Sequence, residues 1–68
     1  MSSTVRYPNI TVRLVGTDGN AFAILSRVER ALRRGGVSED EIKVFRDEAT
    51  SADYDKLLLV CADWVVIE

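Results

Sequence analysis

The sequence predicts a single α+β domain, ordered β-α-α-α-β, with a two-stranded sheet packed on a layer of three helices. Three observations predict it: strict alternation over residues 10–15, helical apolar spacing in three capped segments, and a β-branched, aromatic run at the end of the sequence. With 68 residues there is room for one core, and a chain of that size buries only about 60% of the surface its unfolded form exposes. Almost half the residues are apolar and 29% are charged, as in ordinary globular domains and unlike disordered or fibrous chains.

Residues 1–8 carry little pattern and end at Pro8, which also biases Tyr7 toward extended geometry. They read as a flexible arm preceding a domain at 9–68. From Ile10 to Val15 the residues alternate: Ile10, Val12 and Leu14 share one face, and Thr11, Arg13 and Val15 the other. That pattern is a half-buried strand. Gly16-Thr17-Asp18-Gly19 then has the chemistry of a turn leading into a helix.

The helix is expected from about Asn20 to Arg34. Ala21, Ile24, Leu25, Val28, Ala31 and Leu32 gather on one side at 3.6 residues per turn, and Arg27, Arg30 and Arg34 fall opposite. Asp18 or Asn20 can cap its first amides, and Gly35-Gly36 stops it. Ser38-Glu39-Asp40-Glu41 is a capping box for a second helix, from about Glu39 to Ala49, with Val37 and Ile42 placed as a hydrophobic staple. Ile42, Phe45 and Ala49 form its narrow apolar stripe.

Thr50-Ser51-Ala52-Asp53 breaks that helix and offers caps for a third, from about Ala52 to Ala62. Tyr54, Leu57, Leu58 and Cys61 supply its i, i+3, i+4, i+7 stripe, leaving Leu59 and Val60 off it. A rival reading makes Leu57 to Cys61 a short buried strand, because an unbroken apolar run does not identify its own period. Trp64 to Ile67 is a second strand, expected to pair with the first. Two strands leave two edges, so homodimerisation through an edge or through Leu59 and Val60 is an open expectation.

The run G-T-D-G-N-A-F-A-I-L, with R-A-L-R-R-G-G-V, E-A-T-S-A-D-Y-D-K-L-L and the final W-V-V-I-E, resembles a group of very short proteins of bacteria and their phages. The resemblance spans Ile10 to Glu68 and rests most on D-G-N-A-F with A-T-S-x-D-Y-D. It brings no activity with it. What it implies is a stand-alone module, from a phage or mobile-element gene.

Charge is distributed unevenly. Through Gly36 six arginines face Asp18 and Glu29; from Val37 on, three basic residues face nine acids. Arg27, Arg30 and Arg34 are like charges on neighbouring turns, which repel unless something opposes them. Either acids of the second half neutralise this face, or an external acidic protein or polyanion does. A nucleic-acid partner is disfavoured by the pI near 5.0 and the lack of a recognised motif.

Other candidates have structural readings beside functional ones. The Gly16-Thr17-Asp18-Gly19-Asn20 turn could cradle an anion, but its spacing matches no phosphate-binding motif and Asp18 would oppose the charge; capping by Asp18 or Asn20 is the expectation. Asp53 and Asp55 with Asp18 offer oxygen ligands without ligand spacing. Tyr54 and Trp64 are expected at the core edge, as anchors for a partner if exposed. Cys61 is read as a small buried hydrophobe. With one cysteine and no histidine, and too little chain for both a core and a substrate chamber, no enzyme and no cofactor are expected. The leading expectation is a non-catalytic module with a protein partner; a nucleic-acid-binding accessory and a structural homo-oligomer are the alternatives. The N-terminal residues lack a signal peptide's basic and apolar stretches, so the cytoplasm is the expected compartment.

Overall fold

A computed structural model describes residues 5–14 and 19–68. Its elements are β1 (Tyr7–Val12), α1 (Ala21–Arg34), α2 (Glu39–Ala49), α3 (Tyr54–Trp64) and β2 (Val65–Ile67). The expected order is the observed one, and β1 and β2 form one two-stranded parallel sheet. Parallel neighbours need a crossover; here all three helices lie within it. Val15 and the turn residues Gly16, Thr17 and Asp18 lie outside the described residues, as do residues 1–4.

The first strand begins at Tyr7, not Ile10, so Tyr7 and Pro8 belong to the sheet and not to an arm. Proline is compatible because the ladder is irregular there. Tyr7 stands opposite Val65 but Thr11 stands opposite Val66, a bulge on β1 that contains Pro8 and needs no donor from it. The predicted alternation holds: Ile10 and Val12 are buried and Leu14 is half-buried against the core, while Thr11 and Arg13 are exposed.

Each helix starts on a side chain that accepts a backbone amide. Asn20 accepts from Phe22, Ser38 from Glu41 and Asp53 from Lys56, at 2.8, 3.2 and 3.0 Å. The third helix therefore begins at Tyr54, two residues later than expected. At the other end of α1, Gly36 has φ of +88° and completes a Schellman motif, its amide donating to Arg33 and that of Val37 to Leu32. Val37 thereby turns back and packs, partly buried, against the core cluster to which Ile42 belongs.

The segment Leu57 to Cys61 is helical, and its buried face keeps Leu57 and Cys61 of the predicted stripe but takes Val60 and Trp64 in place of Tyr54 and Leu58. Leu57, Val60, Cys61 and Trp64 point inward, and Val60 is only 4% exposed. Leu58 and Leu59 face outward, Leu59 at 64%, and Tyr54 is half-exposed. Every residue in this run is apolar, so α3 takes the phase that sets Trp64 beneath the core. Trp64 closes the helix instead of opening the strand; it meets Phe45 edge-on at 5.4 Å and Tyr7 at 5.9 Å between ring centres. Its indole N–H donates to Glu48 at 3.2 Å, and Arg6 lies 4.0 Å over its ring.

Candidate functional site: an arginine-lined groove

Arg27, Arg30 and Arg34 lie on consecutive turns of α1, about 1.5 Å of rise per residue apart along the axis. Their face turns toward β1. Together with Arg13, Thr11 and the small residues Ala23, Ser26 and Ala31 they line a groove of about 440 Å³ between helix and strand. The small side chains keep the floor open, because nothing long stands between the guanidinium groups and the strand. Thr11, Val12 and Arg13 form the strand's side of the groove; Thr11 and Arg13 are exposed, while Val12 also packs into the core.

The arginines divide into two sets. Arg33 holds Glu39 through two bonds, of 2.6 and 3.1 Å. Arg46 holds the buried Glu29 through two more, of 2.7 and 2.6 Å. Arg6 sits 3.7 Å from Glu41 as well as over Trp64. The side chains of Arg13, Arg27, Arg30 and Arg34 make no ion pair or hydrogen bond among the described residues. Neutralisation by the acidic second half thus reaches Arg33 and Arg6 but, among the described residues, not the face of Arg27, Arg30 and Arg34. The reason is placement: α2 flanks α1 on the side of Glu29 and Arg33, the side away from the groove. Glu29, four residues before Arg33, turns to Arg46 instead.

The bonded arginines behave as fixed ions. The hydrogen bond from Arg33 holds the Glu39 carboxyl below the usual carboxylate range, and the same bond raises Arg33. Arg46 is likewise raised by its bond to Glu29. Glu41, expected to return to the amide of Ser38, instead accepts the Tyr7 hydroxyl at 3.0 Å. The capping box is therefore half-formed, its acid diverted to β1; burial, and then this bond, push the Tyr7 hydroxyl's pKa up.

The remaining predicted positions are structural. Asn20 caps α1; Tyr54 donates its hydroxyl to the Gly19 carbonyl at 2.8 Å, pinning the residue before that cap; Trp64, 2% exposed, is unavailable as a surface anchor. Asp18 lies outside the described residues, and Asp53 caps α3. Burial pushes the Cys61 thiol up to about 11, which leaves it protonated and inert near neutral pH. Two residues escaped prediction. Arg13 was readable from the alternation that exposed it, but only the fold sets it across from α1. Phe22, 78% exposed, stands on α1 outside the apolar stripe and borders a second, apolar cleft of about 220 Å³ with Leu25, Tyr54 and Leu57.

No protein-family profile, curated protein or solved structure matches the chain. Among the described residues no helix is long and apolar enough to cross a membrane.

Proposed function

We propose that this chain is a non-catalytic interaction module that docks an acidic segment of a partner protein in the groove between α1 and β1. The observation that carries it is the convergence of Arg13, Arg27, Arg30 and Arg34 on one groove with no internal counter-ion among the described residues. Like charges at these spacings cost a few tenths of a kcal/mol per pair in the free molecule. An acidic ligand removes that repulsion and adds charge-assisted hydrogen bonds, for which the planar guanidinium is well suited.

A polynucleotide suits the site less well. Among the described residues no aromatic side chain lines the groove for base stacking, and the net charge of −2, with nine acids after Gly36, repels a long phosphate backbone beyond it. A short acidic peptide meets the arginines without meeting those acids. Catalysis has no support in the side chains: the thiol is buried and protonated, and the sequence holds no histidine.

The test is fluorescence anisotropy with a glutamate-rich peptide and, separately, an oligo-dT strand, using the wild type and the R27Q/R30Q/R34Q variant. These side chains are solvent-exposed and unbonded, so the variant should keep the native circular dichroism. The proposal expects saturable peptide binding that weakens with salt and falls at least about tenfold in the variant, equivalent to about 1.4 kcal/mol. Peptide binding that ignores the substitutions, or stronger retention of oligo-dT with a steep salt dependence, would overturn it.

A further inference from the structure

We propose that the acidic partner segment docks as an extended strand, adding to the open edge of β1 with alternate side chains laid along the arginines of α1. This rests on the groove being the docking surface, and it specifies the backbone geometry of the occupant.

The phase of β1 carries the argument. At its end the Val12 carbonyl accepts from the Glu68 amide at 2.9 Å, and the Leu14 amide donates to the Glu68 carbonyl at 3.0 Å. The backbone groups of Val12 and Leu14 therefore face β2. Successive residues of an extended chain point their amides and carbonyls to opposite sides, so those of Thr11 and Arg13 face the other edge. Among the described residues that edge has no strand on it, because the sheet they form has two, and Thr11 and Arg13 are the β1-side residues that line the groove with Val12. An open edge beside an enclosing helix is a template for strand addition.

Charge selects the occupant. A second copy pairing through the same edge would set Arg13 and the α1 arginines of both molecules together, like against like. An acidic strand sets opposite charges there. Spacing agrees: Arg30 and Arg34 are separated by about 6 Å along the helix axis, and alternate residues of a strand by roughly 6.6 Å. Acidic residues at every second position thus match Arg30 and Arg34, with Arg27 about 4.5 Å further along the axis, while the intervening side chains face away.

The experiment uses the full chain, isotope-labelled for NMR, and a capped peptide of about eight residues, near ordinary strand length, alternating glutamate with valine. Two twins of that peptide carry backbone N-methyl groups on alternate residues, in opposite phases. Strand addition predicts that saturating peptide slows amide exchange at Thr11 and Arg13 at least about tenfold while Leu14, already bonded, is unchanged. It also predicts that only one twin loses affinity, by roughly tenfold for the bonds removed. Equal binding of the parent and both twins would overturn strand addition, as would unprotected Thr11 and Arg13 under saturation. If that binding were still lost in R27Q/R30Q/R34Q, the groove would stand as the docking surface. If none of the three peptides bound at low salt, the groove reading would be overturned as well.

Discussion

Replacing Gly35 by alanine tests how closely the end of α1 is seated on β1. The new methyl carbon would lie 2.5 Å from Ile10 Cδ1 and 3.0 Å from Ile10 Cγ1. Backbone conformation is no obstacle, since Gly35 has φ of −80°; by itself the change should stabilise by about 0.4–1 kcal/mol through the unfolded chain. Crowding a packed core costs about 1–3 kcal/mol, so a net loss of about 1–2 kcal/mol is expected. For a domain of this size that lowers Tm by roughly 5–15 °C. Ile10→Val alone should cost about 0.5–1.5 kcal/mol, yet it removes the nearer of the two clashing atoms. The double variant should therefore be more stable than the sum of the single effects, by about 1 kcal/mol of coupling. Urea unfolding followed by Trp64 fluorescence measures all four corners of the cycle, because that indole is buried in the native state. Gly36→Ala is the control: nothing lies within 4 Å of its added carbon and its φ is +88°. It should cost about 1–2 kcal/mol through backbone strain, independently of Ile10. Additive effects of the Gly35 and Ile10 substitutions, or a stabilised Gly35→Ala, would refute the contact.

Two further outcomes follow from bonds and burial. Ser38→Ala should cost about 1 kcal/mol by removing the cap of α2; because Glu41 is bonded to Tyr7 and not to Ser38, Glu41→Ala should add to it within about 0.5 kcal/mol and should speed amide exchange around Tyr7. Strong coupling between the two in denaturant titrations would restore the reciprocal capping box. Cys61, its thiol raised by burial from 9.0 to about 11, should resist alkylation near pH 8 until urea unfolds the chain, and the folded state should lose stability as pH climbs from 9 toward 11, where the unfolded thiol ionises first. Rapid labelling of native protein, at the rate of a free thiol peptide, contradicts this.

Local signals were the legible part of this fold. Asn20, Ser38, Asp53 and Gly36 act on neighbours within a few residues, so the starts and stops of α1 and α2 could be read closely from the chain itself. The face of α3 could not, because Leu57 through Cys61 are apolar all round the helix and only the position of Trp64 decides between phases. Pro8 misled in a different way: it reads as the end of an arm, but a bulge excuses its missing donor. The candidate groove was half legible. Helical spacing put Arg27, Arg30 and Arg34 together, whereas the approach of Arg13, and the diversion of Glu29 to Arg46 across 17 positions, depend on how α1 is sandwiched between β1 and α2.

The two strands that pair are separated in the chain by all three helices. Each helix can begin to coil from its own neighbours, but the ladder must wait for a long loop to close, and such non-local closure slows folding relative to a helical bundle of equal length. During synthesis β1 leaves the ribosome well before its companion is made, so for that interval both of its margins are bare. A chain in that state is open to capture by any extended segment nearby, until the arrival of Val65–Ile67 covers one of the two margins.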